Sequence, residues 1–596
     1  MTTANPASTP HASVRFVLRL LILILMGLNL SACIVTQEDR FWTHAPGWSR
    51  AQFIGETGSM RPVSIDVDEE GTLYAVYFER EPDTVLTALA MSADVQERWR
   101  FTFDTEDVLE GRNPSLLHLE DGVHLFWIVS GDLVELHLSD EGTLVAMPVV
   151  ISAGEKVIYY DVERGSGNVY SIWFSSSRDS LGIYRLDPVG TTYTTTLVDP
   201  EGVYPDIAFD QNDALHAVWS RNPRQLTSMT FEYRLYDGGN RQREVAARTL
   251  NPVLRSSDNV EGPVLGINGM IVHVGWITSI RTGLRAGDVE PMVTSFIPGF
   301  TETYSDPTMM RISMDYELPY EEWEGDLRVG PRSEWSFNRN GTVQIKDLAT
   351  VSTSLGEMAL AARTRISTRS GQDQSQITLA YLKDGMFDSY QLLTFTYSSS
   401  VTPSLAVGPD GSIYAVWLEL TDEDEFSIYL SSTGEAMRET FNALTGDDYR
   451  QMATDTLFGM VSGALLTPVV FLWLMPGMLV LLMTAWLRNR PNASQKRMDG
   501  LSVGLAVAAY WYVKTAMFPS ILTTVPFKLW IPIIPAGVGM ALRILIPLLV
   551  TLLAVGGGYR QVRKRGSFSP ASFLLVYGLL DGVCTVAIYG ADFIRL

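Results

Sequence analysis

Two patterns of apolar and polar positions divide the chain. From about residue 50 to 435, apolar and polar residues alternate over short runs, the period of half-buried β-strands, and the runs are punctuated by Gly, Asp, Asn and Pro. One arrangement recurs: Pro, an alternating strand, a turn carrying Asp, Asn or Gly, then a strand ending in Trp or Tyr. Its clearest copies are Pro62–Tyr77 (PVSIDVDEEGTLYAVY), Pro114–Trp127 (PSLLHLEDGVHLFW), Pro205–Trp219 (PDIAFDQNDALHAVW), Pro263–Trp276 (PVLGINGMIVHVGW) and Pro403–Trp417 (PSLAVGPDGSIYAVW). A copy without Pro ends GNVYSIW at Trp173, and a faint one ends QITLAY at Tyr381. The aromatic ends at 77, 127, 173, 219 and 276 are spaced by 50, 46, 46 and 57 residues. That is the period of a four-stranded blade, with each copy supplying two strands joined by a hairpin turn.

Such a unit cannot bury both faces alone, so the copies stack radially and close into a ring that leaves only short edges. The expected fold is an all-β propeller of seven blades, or of eight. The 105 residues between Trp276 and Tyr381 hold either a further blade or an insertion around 290–350. Trp48–Ile54 (WSRAQFI) has no hairpin partner nearby and is expected to supply the outer strand of the last blade.

The second pattern is continuous rather than alternating. Leu457–Trp486, Leu501–Leu522, Leu529–Val555 and Ala571–Ile588 are long and apolar, predicting an all-α four-helix transmembrane bundle over 456–596. Arg488, Arg490, Lys496 and Arg497 crowd the first loop and Arg560, Arg563, Lys564 and Arg565 the third, whereas the second holds Lys528. The positive-inside rule then puts the propeller outside a multi-pass cell membrane.

The N-terminus supports the same address. Arg15 and Arg19 precede the apolar stretch Leu20–Leu28, and Leu30-Ser31-Ala32-Cys33 follows, so residues 1–33 read as an export signal. The tetrapeptide resembles a bacterial lipobox, which implies a lipid anchor on Cys33 and an exported domain over 34–450. The other cysteine, Cys584, lies in the last apolar segment, so no disulfide framework is available to that domain.

Charge narrows the partners. The chain has 45 Lys/Arg and 67 Asp/Glu, and residues 34–455 hold 31 and 64 of them, a net charge of −33. A field of that sign repels phosphate backbones, so no nucleic acid is expected. The expected partners are the lipid bilayer and an extracytoplasmic glycan or protein.

Catalytic chemistry is not legible. His124, His216 and His273 each lie three residues before a motif Trp, where other copies have Tyr74, Tyr170 or Tyr414. A position shared by His and Tyr is assigned to packing between blades, not to a metal. Asp422-Glu423-Asp424-Glu425 reads as a solvated hairpin tip. No Gly-rich loop opens a helix after a strand, and no nucleophile motif is found, so no catalytic residue, metal or cofactor is assigned.

Two groups remain as candidate sites. The segment Asp315–Trp335 (DYELPYEEWEGDLRVGPRSEW) combines Tyr316, Tyr320, Trp323 and Trp335 with five Glu, a composition suited to sugar stacking or a protein hot spot. Lys514, Arg543 and Asp581 reach similar depths in their spans, so Asp581 is expected to pair with Arg543 or Lys514 as an intramembrane polar cluster.

The strands GSIYAVW and ALHAVW resemble those of sialidase-like propellers of exported bacterial proteins. The chain lacks that family's Ser-x-Asp-x-Gly-x-Thr-Trp boxes and Arg-Ile-Pro motif, so no catalytic residue carries over. The expected function is a membrane-anchored recognition or assembly module. The alternatives are a sialidase-like glycan hydrolase, which needs paired carboxylates at the central mouth, and a propeller-gated transport or signalling protein.

Overall fold

A computed structural model describes residues 45–594 except for connecting segments, the longest being 105–111, 222–228, 313–344 and 489–494. The chain forms two compact units, a β-unit ending at Ala443 and a helical unit beginning at Leu444.

The β-unit is a seven-bladed propeller, each blade an antiparallel four-stranded sheet. The inner strands of blades 1 to 7 are Ser64–Val67, Arg112–Leu119, Val157–Arg164, Gly202–Phe209, Asn259–Asn268, Ile345–Ser352 and Ser400–Val407. The second strands carry the motif aromatics into the seams between blades. Trp127, Trp173, Trp219, Trp276 and Trp417 are all buried, with Trp173 against Trp219 at 5.9 Å and Trp276 against Phe231 at 5.3 Å. Rings of this size exclude water from each wedge-shaped seam, the main stabilising term of the ring.

Seven blades, rather than eight, follow from how the long gap is used. It completes blade 5 with Val289–Phe296 and Thr308–Met309, then supplies the first strands of blade 6. Tyr381 lies on Asp373–Lys383, the third strand of blade 6; the second is Glu357–Ser367. There Ala361 pairs with Ala349 as Val218 pairs with Asp206 in blade 4, so Ala362 stands where other blades have Trp or, in blade 1, Tyr77. The faint sequence copy was therefore displaced by one strand, because this blade's motif aromatic is absent.

Ring closure uses the start of the chain. Gln52–Thr57 pairs antiparallel with Glu425–Ser432 as the outer strand of blade 7. The closure is tied on both sides: Arg50 N–H donates to Asn442 Oδ1 (2.8 Å) and Asn442 Nδ2 donates to the Trp48 carbonyl (2.9 Å). Gly55, in the bulge of this strand, lies flush against buried Tyr77 of blade 1, and a Cβ there would collide with the phenol ring. Gly55→Val is expected to cost about 1–3 kcal/mol as an overpacked seam, seen as a lower denaturation midpoint by tryptophan fluorescence; an unchanged midpoint would refute this contact.

The helical unit contains Gly446–Ala464, Thr467–Arg488, Gln495–Met517, Ser520–Thr523, Ala536–Arg565 and Pro570–Ile594. The first apolar segment is thus split: a capping box of Thr445 and Asp448 starts one helix, and a second begins at Thr467 with Pro468 in its first turn, where proline is tolerated. Pro535 likewise stands just before its helix, Ala536–Arg565. Three helices, over Thr467–Leu487, Gly537–Arg563 and Pro570–Gly590, are long and apolar enough to cross a membrane. Gln495–Met517, the helix that holds most of the expected span Leu501–Leu522, falls short in apolar character among the described residues. It begins with Lys496, Arg497 and Asp499 and carries Lys514 near its end. Close crossings rest on glycine: Gly578 and Gly582 of the last helix lie against Leu474 and Val470, and Gly590 meets Gly463. Small residues of this kind let apolar helices approach closely.

Candidate functional site

The innermost strand of each blade has one edge with no strand beside it, and its N–H groups face the central channel. Acidic side chains of the preceding blade satisfy several of them. His118 N–H donates to Asp66 Oδ2 (3.0 Å), Ile207 N–H to Asp161 Oδ2 (2.7 Å), Leu265 N–H to Asp206 Oδ2 (2.5 Å) and Asp347 N–H to Glu261 Oε1 (2.7 Å). A belt of carboxyl groups thereby clasps neighbouring inner strands around the channel.

The acids gather on one side. Asp161 and Asp206 hydrogen-bond each other, and Glu163 faces both Asp161 and Asp66. Arg164 crosses from blade 3 to two other blades. Its Nη1 donates to the His118 carbonyl (2.8 Å), and its Nη2 donates to the Val67 carbonyl (3.1 Å) and lies 3.5 Å from Asp66 Oδ1. Beside this group the rings of Tyr159 and Tyr204 meet edge to face at 5.7 Å.

Burial pushes the Asp161 carboxyl up to about 6, against hydrogen bonds from the Ile207 and Val162 backbone that favour its charged form. Burial, then the charge of Asp161, holds Asp206 well above the usual carboxylate range. Burial, then Asp161 and Asp66, does the same for Glu163. All three are only half-buried, so channel water tempers the penalty of a dry interior. The Asp161–Asp206 pair shares protons and titrates as a unit.

Backbone geometry marks the same rim. Asn113, Tyr204, Gly262, Asp347 and Thr402 all have left-handed φ (48°, 55°, 105°, 53° and 46°), each within the register shift of its inner strand. Side chains as bulky as Tyr204 and Thr402 rarely adopt this conformation, and it costs about 1–3 kcal/mol where it persists. The backbone repeats in five blades while the side chain changes. Tyr204 is 47% exposed, an aromatic ring offered to solvent on an otherwise clasped strand.

The sequence-derived groups are placed differently. Cys33, Tyr316, Tyr320, Trp323 and Trp335 lie outside the described residues. The motif histidines sit in blade seams: His216 Nδ1 bonds Tyr233 Oη (2.8 Å), and His273 Nδ1 bonds Ser295 Oγ (2.8 Å). Burial lowers His273 to about 4, keeping it neutral. In the helical unit Lys514 Nζ donates to Asp581 Oδ2 (2.5 Å), Tyr510 Oη donates to the same oxygen (2.8 Å), and Lys514 lies 4.4 Å from the Trp511 ring. Arg543 is not part of this group; its Nε donates to the Leu522 carbonyl (2.5 Å).

The channel residues were not singled out from sequence because they come from separate repeats. Asp66 and Asp206 lay inside quoted motif copies, and the available signal was a carboxyl group in a repeated strand: Asp206 stands where other copies have Ser or Val, and Asp66 where they have Leu, Ala or Gly.

No protein-family model matches the sequence, and no curated protein matches it. Similar solved structures include polysaccharide lyase Uly1, with 9% identity over 66% of this chain and 94% of that one and a TM-score of 0.41. The alpha-L-arabinanase of Penicillium chrysogenum complexed with arabinobiose is 12% identical over 66% of this chain and 97% of that one, with a TM-score of 0.32. A subtype N10 neuraminidase-like protein from a little yellow-shouldered bat isolate is 11% identical over 54% of this chain and 94% of that one, with a TM-score of 0.32.

Proposed function

We propose that the chain is a membrane-anchored propeller on the extracytoplasmic side that recognises a hydroxyl-rich ligand, a surface glycan, at the channel face of blades 3 and 4. The observation that carries this reading is the Tyr159–Tyr204 pair beside Asp161, Glu163 and Asp206. Carboxyl groups that hold protons near neutral pH both donate and accept hydrogen bonds, which suits sugar hydroxyls, and an exposed tyrosine ring supplies stacking area at small entropic cost. The apolar helices, the basic loops between them and the export signal support the address.

A specific observation favours a second reading, glycan hydrolysis. Asp161 and Asp206 are each held by a neighbouring strand's N–H, whereas Glu163 accepts from the adjacent Arg164 N–H. A carboxyl group kept protonated suits a general acid. Hydrolysis needs two carboxyl groups about 5–9.5 Å apart, which the hydrogen-bonded Asp161–Asp206 pair is not, so Glu163 would have to be one partner.

Full-length protein in detergent is expected to bind surface glycans on an array without cleaving them, with binding weakened about tenfold by Tyr204→Ala or Glu163→Gln, the scale of a buried hot-spot contact. Product release abolished by Glu163→Gln would replace recognition with hydrolysis. Binding indifferent to both substitutions would overturn the channel as the site.

A further inference from the structure

Blade 2 treats its seam histidine differently from the other blades. His124, on Gly122–Val129, is paired directly across the ladder with His137 on Asp132–Leu138, so both imidazoles leave the same face of the sheet. The rings stack at 4.3 Å. The hairpin turn before Gly122 then delivers Asp121: its Oδ1 is 3.1 Å from His124 Nε2, and its backbone carbonyl is 2.9 Å from His137 Nε2. Asp121 Oδ1, His124 Nε2 and His137 Nε2 all lie within 4.8 Å of one another.

We propose that Asp121, His124 and His137 form a zinc-binding site on the hairpin of blade 2, separate from the channel. Four features support it. The 3.1 Å between the first two donors is close to the ligand-to-ligand separation that a tetrahedral ion with bonds of about 2.0–2.1 Å imposes. His124 is oriented from behind, since Glu135 Oε1 takes its Nδ1 at 2.8 Å and Tyr193 Oη donates to Glu135 Oε2 at 2.9 Å. That carboxylate keeps a proton on Nδ1 while the ion takes the place of the one on Nε2, the usual outer support of a histidine ligand. The turn is also closed against the site. Gly122 has φ +130°, and a Cβ there would press on the Leu138 carbonyl and lie 3.1 Å from His137 Nε2. Finally, Asp121 and His137 stand at the surface side of buried His124, so an ion has a path in and water can complete the coordination.

Two imidazoles and one carboxylate select a borderline ion such as zinc; calcium and magnesium prefer all-oxygen sites. The acidic field of the β-unit favours any divalent cation, so selectivity comes from the donors and not from charge. On binding, zinc replaces the proton between His124 Nε2 and Asp121 Oδ1, which passes to solvent, and His137 gives up the Nε2 proton that it donates to the Asp121 carbonyl and takes the Nδ1-protonated tautomer. His216 and His273 cannot do the same, because the residues facing them from the next strand, Leu235 and Ser295, offer no second imidazole.

The test uses metal-stripped, untagged full-length protein in detergent, titrated with Zn2+ against a chromophoric chelator. One Zn2+ per chain is expected. Affinity should fall at least about tenfold in His137→Gln and in Asp121→Asn, and about tenfold in Glu135→Gln through its hold on His124. His118→Gln should bind as the wild type does, and excess Mg2+ should not compete. Variants are compared only where their metal-free melting points match the wild type. Independently of any variant, Co2+ added to the wild-type chain should give visible bands that one equivalent of Zn2+ removes. No Zn2+ uptake at micromolar concentration, unchanged affinity in His137→Gln, or absence of the Co2+ bands would overturn the site.

Discussion

Asp581→Leu is expected to destabilise the helical unit by about 3–5 kcal/mol, whereas the double substitution Lys514→Met with Asp581→Leu should recover most of that loss. Both side chains are buried, with Lys514 1% and Asp581 0% exposed. Asp581 Oδ2 takes hydrogen bonds from Lys514 and from Tyr510. Removing the carboxylate alone leaves an ammonium group among apolar helices, and an unpaired charge there costs more than the pair contributes. Removing both replaces the pair with side chains that pack. The measurement is a double-mutant cycle on unfolding in detergent. A coupling near zero would show that the two charges do not meet. Arg543→Met, outside the group, should change stability far less. The other carboxylate oxygen, Oδ1, has no hydrogen-bond partner among the described residues, which makes this locus expensive to keep and poor as a purely stabilising lock.

Stability of the propeller should fall as pH rises from about 4, first through the folded value of Asp161 and then through those of Glu163 and Asp206. Asp161, Glu163 and Asp206 carry folded-state pKa values raised above the ordinary range of roughly 4, with Asp161 at about 6. Above their unfolded pKa the unfolded chain releases these protons while the folded channel retains them. The stabilisation is therefore complete below about 4 and is lost as pH passes through the folded values. Each such carboxyl contributes at most about 1.4 kcal/mol per pH unit, reduced here by channel water. Below about 6.5 the buried neutral His273 acts in the opposite sense, since it resists the proton that the unfolded chain accepts. Asp210, lowered to about 2 because the nearby His216 and the N–H groups of its own turn outweigh burial, loses its contribution only in stronger acid. The window above 6.5 thus isolates the channel acids, together with His124, whose carboxylate partners overcome burial to raise it. Tryptophan-monitored melting between pH 6 and 9 should show a falling midpoint, and Asp206→Asn should flatten the slope by breaking the shared-proton pair. A midpoint constant across that window, or a slope unchanged in Asp206→Asn, would mean that the channel carboxyls are ionised like surface groups.

The two cases show where sequence reading stops. The repeated Pro–strand–turn–strand–aromatic unit gave the propeller because period, turn chemistry and buried rings all act within one segment of about 50 residues. It also pointed to the closing strand, since Trp48–Ile54 had no local partner; the paired strand is Gln52–Thr57. Blade 6 escaped because Ala362 stands in the aromatic's place, so the local pattern no longer marked the second strand. Lys514 and Asp581 were marked by depth along their helices, but the choice of Lys514 over Arg543 depends on which helix faces the last one. That is a property of packing.

Composition and periodicity by themselves determined the class of each unit, an acidic ring of strands and a set of apolar helices, because burial of apolar surface with a fixed period is a local demand that every short segment must meet. Only the tertiary structure decided which acids stand together. Asp66, Glu163 and Asp206 come from three blades, 97 and 43 residues apart along the chain, and nothing in the spacing of a repeat says which side chains will share the channel. Closing the ring brings different positions of different blades together as neighbours. Within blade 2 it was hairpin register that made His124, one of three repeated seam residues, half of a cross-strand pair with His137, since register across a ladder sets which donors meet.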